Sequence, residues 1–166
     1  MRWLSFFILA YIALGLQTGL SRAVQWDTAT PNFVLIAMIF IAINAPRDAA
    51  LLGAFILGAL DDMTSQGILG LMAFSYALSA AMILPVARGM QRKHPATHFG
   101  LVLAAGLLTA IIVTFHGMIR PVTGSIRPPA GPLFYSAIYS AILAPILLAG
   151  LQRLSKLFRF QRTSRI

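Results

Sequence analysis

The chain has 166 residues, of which 58% are hydrophobic and only 10% charged, with a mean hydropathy of +0.82; soluble domains carry about 25% charged residues, so this composition belongs in a membrane. Six spans of about 20 residues would use roughly 120 positions and leave no room for a separate nucleotide-binding or catalytic domain. The net charge of +9 fits basic loops on the cytoplasmic side of a bilayer better than a nucleic-acid surface, and the lack of cysteine excludes disulfides, thiolate metal sites and cysteine nucleophiles.

Residues 3–20 form the first apolar run. It exceeds the roughly 7–15 residues of a signal-peptide core and reads as an uncleaved signal anchor. In the next stretch, 33–60, Pro46-Arg47-Asp48 separates two shorter apolar runs. A re-entrant hairpin would leave Arg47 near the bilayer centre at a cost of roughly 2.5 kcal/mol or more, so two short spans are expected, with Arg47 in a headgroup layer. Residues 68–87, 99–119 and 133–151 complete six spans. The Pro-rich segment 127–132 is expected to be extended, and Pro145 to kink the last span.

With six spans, Arg2, Arg47, Arg88, Arg92, Lys93, Arg153, Lys156, Arg159, Arg162 and Arg165 collect on one side, and Arg22, Arg120 and Arg127 on the other. Basic residues favour the cytoplasm, so both termini are expected there. The chain divides into a single six-helix membrane domain, 1–151, and a basic juxtamembrane tail, 152–166. In the tail, Arg153, Lys156, Arg159 and Arg162 interleave with apolar residues, a pattern suited to an anionic lipid surface at about 1 kcal/mol per basic residue.

Within the third span Ala50, Ala54, Gly58 and Asp61 fall within about 40° of one line, with Asp62 some 80° away. Small residues on one stripe admit a close helix neighbour, although alanine and glycine are common in membrane helices anyway. Asp61 and Asp62 end that helix, where the helix dipole disfavours an anion. Their compensation is expected from the amides and hydroxyls of residues 63–67 or from Arg22, Arg120 or Arg127. A structural cap or ion pair, a partner contact, and proton or cation binding are the three uses open to them. His116 and Arg120 share a face at i, i+4. Hydrolase and phosphate-loop motifs are absent from the sequence, no metal site is marked, and no catalysis is expected.

Read as a unit, Pro31-Asn32-Phe33, an apolar run, Ala45-Pro46-Arg47, a second apolar run, Gly58-Ala59-Leu60-Asp61-Asp62 and then Leu69-Gly70 resemble the MreD family of rod shape-determining proteins. In that family a Pro-Asn or Pro-Asp opens the second span, Pro and a basic residue separate two short helices, and a G-x-x-x-D turn precedes L-G. The motif-bearing match covers about residues 31–76. Asp61 is an extra acid where the family pattern is apolar, so which carboxylate carries the family role stays open. The resemblance implies an all-α, multi-pass protein of the bacterial inner membrane, similar in fold to the substrate-binding subunits of energy-coupling-factor vitamin transporters. It also implies a non-enzymatic scaffold without cofactors in the elongation complex for lateral peptidoglycan synthesis. The expected partner is an MreC-like protein, with MreB, RodA and a class B penicillin-binding protein reached indirectly. On this reading Pro46 and Arg47 make a cytoplasmic hairpin, Ala50, Ala54 and Gly58 allow close helix contact, and Asp62 with Gly67 and Gly70 fixes the outer turn. The alternative is a vitamin-binding transporter subunit. It is disfavoured because Ala10 and Ala13 do not reproduce the Ala-x-x-x-Ala docking pattern of such subunits.

Overall fold

The computed structural model describes residues 3–20, 23–26, 29–65, 68–89, 95–119 and 130–158. Among these, six helices follow in order: α1 (Trp3–Gly19), α2 (Phe33–Asn44), α3 (Arg47–Thr64), α4 (Leu71–Gly89), α5 (Pro95–Ile119) and α6 (Ala130–Phe158). Apart from an isolated bridge between Trp26 and Ala29, there is no β-structure among the described residues.

The two short apolar runs are two helices because Pro46 separates them. Proline disfavours helical geometry in its predecessor, and Ala45 is extended at φ −93° and ψ 159°. Pro46 then stands at the N-cap of α3, and Asp48 occupies the first turn, where a carboxylate is favoured by the helix dipole. The connection between α2 and α3 is therefore two residues long.

At 12 residues α2 is about 18 Å long, short of the roughly 30 Å of bilayer hydrocarbon. Every side chain from Phe33 to Ile43 is buried, because α2 packs against all five other helices. Its uniformly apolar sequence is that of a central core helix. Around it, α1 contributes Phe6, Leu9, Ala10 and Ala13, spaced three and four apart, and α3 contributes Ala50, Ala54 and Leu57. Ser79 of α4 and Thr109 of α5 pair at 3.4 Å, so neither hydroxyl is left alone inside the bundle.

The outward faces are the reverse of those of a water-soluble protein. Leu4, Tyr11, Phe74, Met82, Phe115, Ile142 and Ile146 are all exposed, which in water would create a large adhesive surface. Two segments, Ala96–Ile119 and Gly131–Arg153, are long and apolar enough by themselves to cross a membrane; Trp3–Gly19, Phe33–Asn44 and Leu71–Ala87 are apolar and shorter.

Several boundaries differ from the sequence expectation. α4 starts at Leu71, because Ile68, Leu69 and Gly70 form a turn in which Gly70 has φ +93°. α5 starts at Pro95, a residue suited to a first helical position. The expectation of extended backbone up to residue 132 is corrected: Ala130, Gly131 and Pro132 already form the first turn of α6, where proline is tolerated because its missing N–H has no intrahelical partner. Residues 127–129 lie outside the described residues. α6 extends to Phe158, with Pro145 inside it.

Because α2 is enclosed, Ile39→Ala leaves a cavity that lipid cannot fill. We expect it to cost about 2–5 kcal/mol and to lower the unfolding midpoint in detergent. Tyr11→Ala, at a position 80% exposed, is expected to leave that midpoint unchanged.

Candidate functional site

At the end of the bundle opposite Pro46, the last turn of α3 carries Asp61 and Asp62, both buried. Asp62 is 2% exposed and meets the start of α4. The backbone N–H of Gly70 donates to its Oδ2 at 2.9 Å, that of Met72 to Oδ1 at 3.0 Å, and that of Ala73 to Oδ2 at 3.0 Å. The first amides of a helix have no partner of their own and carry partial positive charge. Gly70, immediately before α4, has no side chain to cap them, so a residue eight positions earlier does so.

These amides lie beyond the segment expected to compensate the acids. The hydroxyls of Thr64 and Ser65 donate instead to the backbone carbonyls of Asp61 at 3.0 Å and Asp62 at 3.4 Å, satisfying the last turn of α3. Arg22, Arg120 and Arg127 lie outside the described residues.

Gly58 stands one turn before Asp62 and explains how the two helices come so close. A Cβ built on it would lie 2.5 Å from Ala73 Cα and 2.5 Å from the Met72 carbonyl oxygen, inside the backbone of α4. The G-x-x-x-D spacing thus places a bare backbone and a carboxylate on one helix face. The first lets α4 approach, and the second receives its amides. Gly70, at φ +93°, turns the chain between them in a region that side chains disfavour.

Asp61 serves a second joint. Tyr76, fully buried on α4, donates its hydroxyl to Asp61 Oδ2 at 2.8 Å and accepts from Asn32 Nδ2 at 2.8 Å. Asn32 Oδ1 accepts the Leu35 N–H at 2.8 Å and so caps α2. Its own N–H donates to Ser140 Oγ at 2.8 Å, and Ser140 Oγ donates to the Ser136 carbonyl at 2.7 Å. The neighbouring Phe33 N–H donates to Gln17 Oε1 at 2.8 Å. A single asparagine with its neighbour thus ties α2 to α1, α4 and α6, and through Tyr76 to α3. In hydrocarbon, where no water can substitute, every such group needs a protein partner.

Pro31 is buried beside this network, whereas Pro46 and Arg47 are exposed at the opposite end. Ala50 and Ala54, each 1% exposed, pack inside the bundle on the same face of α3 as Gly58. His116 is half-buried near the end of α5. Arg153 is exposed on α6 and Lys156 falls in its last turns. Gly67, Arg159 and Arg162 lie outside the described residues.

The roles of Tyr76, Gln17 and Ser140 were not evident in the sequence. The usable signal was Tyr76, since a phenol inside a membrane helix needs a partner. Similarly, His98, 3% exposed at the start of α5, faces Gln152 of α6 across 3.1 Å between their Nε2 atoms. Among the described residues no group of three His, Cys, Asp or Glu could hold a metal ion. The mostly apolar cavity beside Asn32, Thr109 and Ser136 is about 60 Å³, far below the roughly 300–1,000 Å³ of small-molecule pockets.

The joint predicts a specific pair of lesions. Asp62→Asn turns donors toward donors and should cost about 1.5–3 kcal/mol. Gly58→Ala should force α3 and α4 apart at about 1–3 kcal/mol, with a double variant less harmful than the sum because both break one contact. Unfolding in detergent measures this, and wild-type midpoints for both single variants would contradict it.

A family model described as rod shape-determining protein MreD matches residues 1–155. Comparison with curated proteins and with solved structures returns no match.

Proposed function

The chain belongs to the MreD family of rod shape-determining proteins, and on that premise we propose that it is a non-catalytic scaffold. In this role it docks an MreC-like partner and so helps to hold a wall-synthesis complex together. The family acts in cell-shape determination and is associated with the membrane. Beyond that, the reading places the chain as a six-span protein of the bacterial inner membrane, with both termini in the cytoplasm and a fold similar to vitamin-capture subunits. Contacts with MreB, RodA and a class B penicillin-binding protein are indirect on this reading.

The observation that carries it is the use made of Asp61 and Asp62. Both carboxylates are engaged by neighbouring helices, Asp62 by three backbone amides and Asp61 by Tyr76. They therefore serve as joints, and among the described residues no nucleophile, base and orienting acid converge beside them. A rigid bundle with broad apolar faces is suited to bind another membrane helix. The orientation rests on the placement of Arg47, Arg88 and Arg153 at the end opposite the two acids, in keeping with the preference of basic residues for the cytoplasm. Vitamin capture draws no support from the small cavity beside Asn32.

Co-expression with an MreC-like protein, followed by purification in mild detergent, tests the proposal. The expected result is a stoichiometric complex whose recovery falls with Asp62→Asn and is retained in Tyr11→Ala. Recovery of transporter ATPase subunits instead, or uptake of a solute by proteoliposomes containing the chain alone, would overturn it.

A further inference from the structure

Between α1 and α6 the bundle is not closed. The two helices stand apart over α2, leaving a cleft of about 250 Å³ whose apolar walls include Leu9, Ala13, Ile36, Ala37, Ile146 and Gly150. A Cβ built on Gly150 would meet nothing within 4 Å, so this wall of the cleft is open.

The position of the cleft along the bundle indicates what fits it. Gln17 bonds Phe33 and Ser140 bonds Asn32, which sets α1, α2 and α6 in register at one level. From there the cleft extends toward the Pro46 end, along α1 from Leu16 back to Leu9 and along α6 from Ile146 to Leu151. Seven residues of helix give it a length of about 10 Å, within the roughly 15 Å depth of one leaflet's hydrocarbon, half of the bilayer core. A transmembrane helix, about 10–12 Å across with its side chains, cannot enter a cleft of this volume. A single hydrocarbon chain can.

The mouth of the cleft carries the charge such a ligand would need. Arg153 is exposed and stands three residues after Gly150 and seven after Ile146. Those spacings put it on the same face of α6, one turn nearer the end. Its exposed guanidinium can meet a headgroup phosphate while its stem follows the apolar wall. We propose that the cleft binds one acyl chain of an anionic phospholipid from the leaflet at the Pro46 end, with Arg153 holding the headgroup. This site depends on the placement of α1, α2 and α6 and not on any protein partner, so it stands or falls separately from the scaffold role.

Native mass spectrometry of the purified full-length chain, titrated with dioleoyl phosphatidylglycerol or dioleoyl phosphatidylcholine, tests it. The expected result is a discrete one-lipid adduct with about a fivefold preference for phosphatidylglycerol, the scale of one basic residue at a lipid surface. Arg153→Gln is expected to abolish the preference. Gly150→Phe, filling the cleft, is expected to reduce the adduct for both lipids without lowering the unfolding midpoint. If Gly150→Phe does lower it, Ile146→Trp, placed at a position 73% exposed, reads the same occupancy. Adducts of no fixed stoichiometry, or wild-type occupancy in folded Gly150→Phe or Ile146→Trp, would overturn the site. An unchanged preference in Arg153→Gln would overturn the assignment of the headgroup.

Discussion

The structure depends on the contact between the Asp62 carboxylate and the first amides of α4. A carboxylate at the C-terminal end of α3 faces the partial negative charge of its own helix, and in a lipid environment that cost is not relieved by water. The start of α4 has the complementary defect, amides without acceptors. Each end alone is unfavourable, and together they satisfy one another at 2.9–3.0 Å. Gly58 makes the contact geometrically possible, because any side chain there would occupy the α4 backbone. The turn, the close packing of α3 on α4 and the depth at which two acids can be buried are consequences of that one pairing.

A second consequence concerns α2. A 12-residue helix cannot span the hydrocarbon, so its start must lie within the protein, where its free amides need partners. Asn32 caps Leu35, bonds Tyr76 and anchors to Ser140, while Gln17 takes the Phe33 amide. Tyr76 carries this network to Asp61, next to the Asp62 joint. The two neighbouring acids therefore have different duties: Asp62 holds α4 to α3, and Asp61 connects that corner to the buried helix in the middle. Both carboxylates are thus occupied inside the bundle.

Much of this architecture was legible in the sequence because hydrophobic runs and proline punctuation are local signals. Pro46 divides α2 from α3 by restricting Ala45, and the four-residue spacing of Gly58 and Asp62 announces a shared face. The resemblance pointed to Gly70 beside Asp62, but the Met72 and Ala73 amides were not legible, since the nearest amides and hydroxyls, at 63–67, were the natural expectation. The Asn32, Tyr76 and Ser140 network joins residues 44 and 108 positions apart, and no local pattern encodes such a distance. Prolines at 128, 129 and 132 suggested an extended loop, yet the last of them sits in the first turn of α6, where the ring does no harm.

Hydrogen exchange of individual backbone amides, measured on the chain in lipid nanodiscs, tests the central claim most directly. If the Asp62 carboxylate closes the start of α4, the Gly70, Met72 and Ala73 amides exchange as slowly as those in the middle of α2, and all three are released together in Asp62→Asn. Fast exchange at these three positions in the wild-type chain, at the rate of an open loop, would contradict the account.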